Sequence, residues 1–302
     1  MITGKTKLLG VIGAPVGHSL SPIIQNAALR AAGLDYVYAA LPVRADALTS
    51  AVHGLRDAGI AGFNVTIPFK TEIIPLMDDL SEDARRIHAV NTVVIGADGK
   101  LVGHNTDVTG FLAGFAERGI ALAGRRVVLI GAGGAARAVL WGLLRSKVSS
   151  VVIGVRNASK GAALATDFAA HGDVQAYGFD DPAFTSALSS ADIIVQTTPL
   201  GMTPHVGEMP PVDVAAIKSS AVFYDLIYTP AVTRFLREGA ARGHRTINGE
   251  TMLAAQAHGH ETINGETMLV AQGAEAFFLW TGVRPDMELM KRVLREELVR
   301  RG

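Results

Sequence analysis

The stretch RRVVLIGAGGAA, residues 125–136, passes from a β-branched apolar run through a glycine turn into the start of a helix. It fits the pattern G-x-G-x-x-A. In that pattern the first glycine makes a tight turn, the second lets a pyrophosphate approach the backbone, and the small third residue packs helix against strand. The N–H groups of the helix N-terminus then favour phosphate. The predicted dinucleotide-binding residues of this loop are Gly131, Ala132, Gly133, Gly134 and Ala135.

The residues after the next strand indicate which dinucleotide is bound. An NAD site usually has Asp or Glu there, on the ribose 2′-hydroxyl. This sequence instead has Arg156 and Asn157, with Lys160 close by. Because arginine can pair with a 2′-phosphate and stack on adenine, we predict NADP, the alternative being a solvated Arg156. A later strand leads into a loop predicted to line the cofactor, with Thr197, Thr198, Pro199 and Met202.

Composition limits the classes of protein that this chain can belong to. Its 302 residues suggest about two domains, and 49% hydrophobic against 19% charged residues excludes a mainly disordered chain. Lys plus Arg and Asp plus Glu are both 28, so no basic field favours nucleic acid or anionic membranes. The absence of cysteine excludes disulfides, thiolate nucleophiles and zinc–cysteine sites. With no signal peptide, apolar span or metal site recognised, we expect a cytoplasmic protein.

The hydrophobic pattern predicts an α/β protein with two units. Strands are expected at 8–12, 36–41, 62–67, 89–95 and 101–103 in the first, and at 125–130, 151–155, 192–196 and 221–226 in the second. Ser21 reads as the N-cap of the first helix. Helices at 267–280 and 285–300 are expected to pack back on the first unit.

Polar stretches follow the strands of the first unit. Taken singly, Ser21 reads as a helix cap, Lys70 as a solvated lysine and Asp107 as the cap of the next helix. Beside a dinucleotide loop they favour a reductase site, because a Lys–Asp pair can supply a proton near the hydride acceptor.

The motifs of this chain, in their order, resemble those of the shikimate dehydrogenase family, which includes shikimate/quinate enzymes. The resemblance covers nearly the whole chain and rests on residues 13–22, 64–70, 89–92, 105–107, 131–135, 197–202, 224–230 and 268–272. It implies reversible NADPH-dependent reduction of 3-dehydroshikimate to shikimate in aromatic amino-acid biosynthesis. A monomer or homodimer acting on this small molecule is expected.

The resemblance also implies a domain division and residue roles. Residues 1–106, completed by 262–302, would form a substrate-binding domain, and 107–261 a Rossmann-type NADP domain, with the active site in the cleft. Lys70 would be the catalytic acid/base and Asp107 its partner. The implied substrate ligands are Ser19, Ser21, Thr66, Asn91, Asp107, Tyr228 and a glutamine. Further implied cofactor contacts are Leu226, Gly249 and Met268.

An internal repeat leaves two candidates for that glutamine. Residues 243–256 and 259–272 match at twelve of fourteen positions, with an offset of sixteen. A helix register is set by its buried face, whereas doubling a loop costs only about 0.6 kcal/mol in closure entropy. We therefore expect the extra residues to precede the last apolar helix. Gln272 rather than Gln256, and Met268 rather than Met252, would then serve the site.

Other functions stay open at this point. A quinate/shikimate dehydrogenase that uses NAD or NADP fits nearly as well. A dinucleotide-binding regulatory protein without turnover would not need both Lys70 and Asp107. A zinc hydrolase built on His258 and His260 is disfavoured, because the two histidines lack a third ligand.

Overall fold

The computed structural model describes residues 2–228, 230, 232–247 and 265–301. The chain divides into two compact units, the first being Met1–Gly110 with Leu269–Gly302 and the second Phe111–Met268. Each unit combines a six-stranded sheet with helices, so the predicted α/β class is confirmed.

The sheet of the first unit is mixed. Its strands are β1 (Lys7–Gly13), β2 (Tyr36–Pro42), β3 (Gly62–Val65), β4 (Asp79–Leu80), β5 (Thr92–Ile95) and β6 (Leu101–His104). They lie in the order β2-β1-β3-β5-β6-β4. β1 is parallel to β2 and β3, β5 is antiparallel to both β3 and β6, and β4 is parallel to β6. One core cluster of this unit includes Phe63, Phe69 and Val93.

The helices of this unit include the two C-terminal ones. They are α1 (Ser21–Ala31), α2 (Leu48–Asp57), α3 (Glu82–Ile87) and α4 (Asp107–Ala116), with α9 (Gly265–Thr281) and α10 (Met287–Arg301) near the end of the chain. α4 and α9 each extend across a boundary between the units. α10 packs against α1, so the C-terminal helices return to the first unit as predicted.

The sheet of the second unit is entirely parallel. Its strands are β7 (Arg126–Ile130), β8 (Ser150–Val155), β9 (Val174–Gly178), β10 (Ile193–Gln196), β11 (Val222–Asp225) and β12 (Arg245–Ile247). Its remaining helices are α5 (Gly134–Arg145), α6 (Ala158–Phe168), α7 (Pro182–Ser190) and α8 (Arg234–Ala241). The strand order is β12-β11-β10-β7-β8-β9. From β7 the chain adds β8 and β9 on one side, then crosses to the other side and adds β10, β11 and β12, so the order reverses between β7 and β10. This is the Rossmann order, in which ligands bind beyond the carboxyl ends of the strands at the reversal point.

The structure corrects several expectations from the pattern. β3 ends at Val65, where 62–67 was expected, and β5 begins only at Thr92. Ser21 is not an N-cap: α1 begins at Ser21 and is preceded by Leu20 without a side-chain cap. The Ser21 N–H donates to Ser19 Oγ at 3.2 Å. Elements β9, α7, α8 and β12 were not foreseen.

Within the described residues, no helix is both long and apolar enough to cross a membrane.

Candidate functional site

The topology of the first sheet brings four polar segments to one edge. The loops with Ser21 and Lys70 follow the carboxyl ends of the parallel strands β1 and β3. β5 runs antiparallel to β3, so Asn91, just before β5, lies at the same edge. β6 reverses direction again, which returns Asp107, after its carboxyl end, to that edge. Residues far apart in sequence therefore meet because strand direction alternates.

Lys70 and Asp107 form a close ion pair at this edge. Lys70 Nζ donates to Asp107 Oδ2 at 2.6 Å, and the two side chains are 21% and 10% exposed. The carboxylate thus faces the lysine and the Asn91 amide rather than capping α4, and Lys70 is not a freely solvated surface lysine. Enclosure strengthens such a charge-assisted hydrogen bond relative to an exposed pair.

Asn91 holds the other oxygen of this carboxylate. Asn91 Nδ2 donates to Asp107 Oδ1 at 2.8 Å, and Asn91 Oδ1 accepts from Thr106 N–H at 2.8 Å. Since a backbone N–H can only donate, it fixes the orientation of the amide. The Asp107 carboxylate is therefore oriented by one partner on each oxygen.

Gln272 reaches the same cluster from α9. Its Oε1 accepts from Thr106 Oγ1 at 3.4 Å, and its Nε2 donates to the Leu269 carbonyl at 2.9 Å. The next residue, Gly273, accepts at its carbonyl from Gln25 Nε2 at 2.9 Å. A Cβ atom on Gly273 would stand 3.3 Å from that Nε2 atom, so the close approach of α1 favours glycine.

Trp280 is a further residue of α9 that fixes how this helix packs in the first unit. Its Nε1 donates to the Val93 carbonyl at 2.9 Å and is buried against β5. Gln272 is followed by glycine, whereas Gln256 is followed by Ala257. The predicted alternatives Gln256 and Met252, together with Gly249, His258 and His260, lie outside the described residues.

Two of the predicted substrate ligands lie at the start of α1. Ser19 and Ser21 are both half-buried, and Thr66 is half-buried in the loop after β3. A helix N-terminus carries partial positive charge, and hydroxyl groups can donate to an anion beside it. This end of the site is suited to a carboxylate.

The glycine loop of the second unit begins where β7 ends. Gly131 has φ +111°, and a Cβ there would stand 2.7 Å from Thr197 Oγ1. Gly133 has φ −90° and, like Gly134, would meet nothing within 4 Å with a Cβ. The first glycine is therefore required by the protein itself, and the other two leave open space at the N-terminus of α5. That space fits a pyrophosphate, so the loop fits a dinucleotide.

A buried glutamine organises the neighbouring loop. Gln196 ends β10 with no exposure, and its Nε2 donates to the carbonyls of Thr198 and Leu200 at 3.0 and 3.1 Å. Thr197 Oγ1 donates to the Ile130 carbonyl at 2.7 Å, which joins this loop to the end of β7. Pro199 and Met202 follow and are exposed.

The cations after β8 are exposed, as a site for a charged phosphate requires. Arg156 and Lys160 both face solvent. Asn157 caps α6, because its Oδ1 accepts from Lys160 N–H at 3.2 Å and from Ser159 Oγ at 2.6 Å. The side-chain oxygen of Asn157 is therefore used to cap α6.

Asp225 shapes the loop that carries Leu226 and Tyr228. It is wholly buried, and its carboxylate accepts from Ile227 N–H at 3.0 Å and Thr233 Oγ1 at 2.7 Å. Burial raises the pKa of Asp225 to about 7, and the two hydrogen bonds oppose this rise. Leu226 and Tyr228 are half-buried. They and Met268 belong to the second unit.

Sequence reasoning gave no role to Asn64, Gln196 or Asp225. Each lies at or next to the last residue of an otherwise apolar strand, and each hydrogen-bonds to a neighbouring loop, strand or helix. A polar residue in that position of a buried strand is the signal that could have identified them.

This chain has a glycine loop at the reversal point of a parallel sheet and, in its other α/β unit, a largely buried Lys–Asp pair. These are the features of a dinucleotide-dependent oxidoreductase. Matches to protein-family models indicate which oxidoreductases this chain resembles. The shikimate dehydrogenase substrate binding domain matches residues 11–93, shikimate / quinate 5-dehydrogenase matches 115–219, and the shikimate 5′-dehydrogenase C-terminal domain matches 265–295.

Individual proteins agree with these matches. A shikimate dehydrogenase (NADP(+)) of Geobacter metallireducens is 43% identical over 295 residues, 96% of each chain. A crystal structure of a shikimate dehydrogenase in complex with NADP+ has a TM-score of 0.85 at 38% identity, covering 98% of this chain and 97% of that one. A quinate dehydrogenase from Corynebacterium glutamicum in complex with NAD has a TM-score of 0.81 at 32% identity, covering 96% and 99%. The chain belongs to the shikimate dehydrogenase family, which confirms the predicted resemblance.

In the part of the chain that the structure describes, no group of three or more His, Asp or Glu side chains could hold a metal ion.

Proposed function

We propose that this protein catalyses the reversible NADPH-dependent reduction of 3-dehydroshikimate to shikimate, a step of aromatic amino-acid biosynthesis. The observation that carries the proposal is the 2.6 Å pair of Lys70 and Asp107, held by Asn91 beside Gln272. A regulatory protein that only binds a dinucleotide has no need of such a pair.

The substrate chemistry matches the two ends of this cluster. Ser19 and Ser21, at the start of α1, bind the ring carboxylate, which the helix N-terminus also favours. Ring hydroxyls or carboxylate are bound by Thr66, Asn91, Gln272 and Tyr228.

Lys70 acts on the oxygen at the reacting carbon. NADPH, when bound, supplies the hydride that reduces the carbonyl carbon. As negative charge develops on the oxygen, the Lys70 ammonium stabilises it and delivers a proton. In the direction of oxidation the same nitrogen accepts the hydroxyl proton. Asp107 keeps the lysine within reach, so its service is positioning together with a contact to substrate.

The cofactor residues belong to the second unit. The backbone of residues 131–135 receives the pyrophosphate, and the loop 197–202 with Leu226 and Met268 lines the rest of the dinucleotide. Arg156, with Lys160, pairs with the 2′-phosphate, because both are exposed cations and no acid follows β8.

The proposal extends to organisation and place in the cell. The first unit binds substrate and the second binds NADP. The working form is a monomer or a homodimer in the cytoplasm.

An initial-rate assay with shikimate and quinate, each with NADP+ and NAD+, tests the function. The proposal expects the highest kcat/KM for shikimate with NADP+. A higher value for quinate with NAD+ would instead favour the quinate/shikimate alternative. No turnover in any combination, from protein that binds NADP+, would support the regulatory reading.

A further inference from the structure

Thr92 is a buried polar residue at the first position of β5. It lies directly opposite Asn64 of the antiparallel strand β3. Its hydroxyl oxygen is 2.9 Å from Asn64 Nδ2, 3.0 Å from Asn91 Oδ1 and 3.4 Å from Thr106 Oγ1. Because Thr92 has no exposed surface, it acts on a bound substrate through these neighbours and not by direct contact.

The direction of these hydrogen bonds is set at Asn64. Asn64 Nδ2 also donates to the Asn91 carbonyl at 3.0 Å, and a carbonyl can only accept. The amide nitrogen of Asn64 therefore faces Thr92, whose oxygen accepts from it. Asn64 Oδ1, on the other side of the amide, accepts from the Tyr38 phenol at 2.7 Å. The single hydrogen of the Thr92 hydroxyl is then donated to its nearer acceptor, which is Asn91 Oδ1.

Thr92 ties the Asn91 amide to the sheet, whereas the other donors to Asn91 Oδ1 belong to the segment of Asp107. Thr106 N–H donates to that oxygen at 2.8 Å and Thr106 Oγ1 at 3.3 Å. With these two bonds alone, the amide and the segment 105–107 could shift together. The bond from Thr92 prevents this, because Asn64 holds the Thr92 hydroxyl across the pair of strands β3 and β5.

The loop of Lys70 is anchored to the same end of β5. The Lys70 carbonyl accepts from Val90 N–H at 2.7 Å. Asn91 Nδ2 donates to Asp107 Oδ1 at 2.8 Å, and Asp107 Oδ2 accepts from Lys70 Nζ at 2.6 Å. A turn of the Asn91 amide would therefore displace the carboxylate relative to the lysine, even with both backbones in place.

We propose that Thr92 is a positioning residue of this enzyme. Its hydroxyl orients the Asn91 amide, which holds the Asp107 carboxylate in register with the Lys70 ammonium. This inference rests on the proposed function. The two serines at the start of α1 lie outside this set of hydrogen bonds, so loss of the Thr92 hydroxyl slows proton transfer more than it weakens substrate binding.

The test is shikimate oxidation by Thr92→Val, a nearly isosteric change that leaves Asn64 and Asn91 each without a buried partner. We expect kcat to fall about tenfold, with the KM for shikimate within about threefold of wild type. The single-turnover rate of NADPH formation should fall at least as much, because it reports the chemical step without product release. Thr246→Val is the matched control, since Thr246 is also buried on a strand, β12 of the second unit, and both constants should stay at wild-type values.

Two further variants distinguish positioning from a general loss of structure. Thr92→Ser keeps the hydroxyl and should restore kcat to within about threefold of wild type. Thr92→Ala removes the hydroxyl without placing a methyl group against the two amides, so it should show the loss of kcat even if the valine variant does not fold. Wild-type kcat in Thr92→Ala, a rise in KM equal to the fall in kcat, or a serine variant as slow as the alanine variant would overturn the proposal.

A double variant shows whether Thr92 acts through Asn91. Thr92→Val combined with Asn91→Ala should have the kcat of Asn91→Ala alone, because no amide is left for Thr92 to orient. Multiplied losses would contradict the role of Thr92 while leaving the proposed function intact. A wild-type enzyme that fails to oxidise shikimate would instead contradict the proposed function itself.

Discussion

The candidate site of the first unit is made of side chains that hold one another, whereas the glycine loop of the second is made of backbone without side chains. Lys70, Asp107 and Asn91 are joined by contacts of 2.6 and 2.8 Å. Gly133 and Gly134 offer open space at a helix N-terminus. The first site is therefore sensitive to the removal of atoms, and the second to their addition.

The two sites also differ in how the chain assembles them. The loop at 131–135 is one continuous run between β7 and α5, so its geometry is local. The cluster of the first unit takes residues 70, 91, 107 and 272 from separate elements. A local site tolerates changes elsewhere, whereas an assembled site depends on every element that delivers a residue.

The largest effect is expected from removing the lysine of the assembled site. Lys70→Ala should lower kcat by about 10²–10⁴-fold, the usual contribution of a general acid or base, while the Kd for NADP+ stays near wild type. Lys100→Ala is the control, because that lysine is 70% exposed and pairs with Asp98 on the surface. Wild-type kcat in Lys70→Ala would remove the basis of the proposed mechanism.

Asp225 tests whether a side chain supports the backbone-built site. Its folded pKa of about 7 lies above the ordinary value near 3.9, so the folded state binds the proton more tightly. Its contribution to stability is complete below about pH 4 and is lost as the pH rises through 7. Relative to Asp225→Asn, the wild-type free energy of unfolding should fall by about 3 kcal/mol between about pH 5 and pH 8.

Denaturant titrations of both proteins at several pH values measure this difference. A gap between the two proteins that stays constant with pH would show that Asp225 is ionised in the fold.

Arg156→Ala removes atoms from the otherwise backbone-built site. Hydrogen bonds to charged groups contribute about 1.5–3 kcal/mol, so the Kd for NADP+ should rise about tenfold to a hundredfold, with much less change for NAD+. Arg125→Ala is the control, since Arg125 precedes β7 at the amino end of the strand. Equal losses for the two cofactors would mean that Arg156 does not recognise the 2′-phosphate.

Glycine-to-alanine changes distinguish a glycine needed for cofactor binding from a glycine needed for the fold. Gly133→Ala meets no neighbour and keeps an ordinary φ, so thermal stability should hold while the Kd for NADP+ rises about tenfold. Gly131→Ala places a Cβ against Thr197 at a positive φ, so it should lower thermal stability as well. Unchanged NADP+ binding by Gly133→Ala would show that the pyrophosphate does not lie over this glycine.

The smallest effect concerns the duplicated glutamine. Gln272→Ala should raise the KM for shikimate by about tenfold or less, the effect of one lost hydrogen bond, whereas Gln256→Ala should not. The two variants control each other, because the same residue is removed from nearly the same local sequence. A rise confined to Gln256→Ala would assign the site to the first copy.

The Rossmann loop was predictable because its chemistry is written in consecutive residues. The strand, the glycine at φ +111° and the helix all lie within residues 126–145. The family was predictable because its motifs keep their order along the chain. Elements such as β9 were missed, because the half-exposed edge strand VQAYG carries little hydrophobic pattern.

Contacts within the first unit were harder to predict from the sequence. Lys70 and Asp107 were predicted to act as a pair from their chemistry and from the resemblance, but nothing in their spacing indicated a distance of 2.6 Å. Hydrogen bonds join Tyr38 to Asn64, Asn64 to Thr92, Thr92 to Asn91 and Asn91 to Asp107. Nothing in the sequence predicts these bonds. Tyrosine on a strand of mixed pattern reads as core, and the partner of a buried amide depends on which strand lies next to it.

By itself, the sequence determined the fold class, the glycine loop, the absence of an acid after β8 and the family, since each depends on residue type within a short segment. Only the tertiary structure decided that Lys70, Asn91, Asp107 and Gln272 meet. The alternation of parallel and antiparallel strands sets which strand ends share an edge. Contacts of α9 with Gln25 and Val93 set its register in the same way, since they form only after helix and sheet have packed.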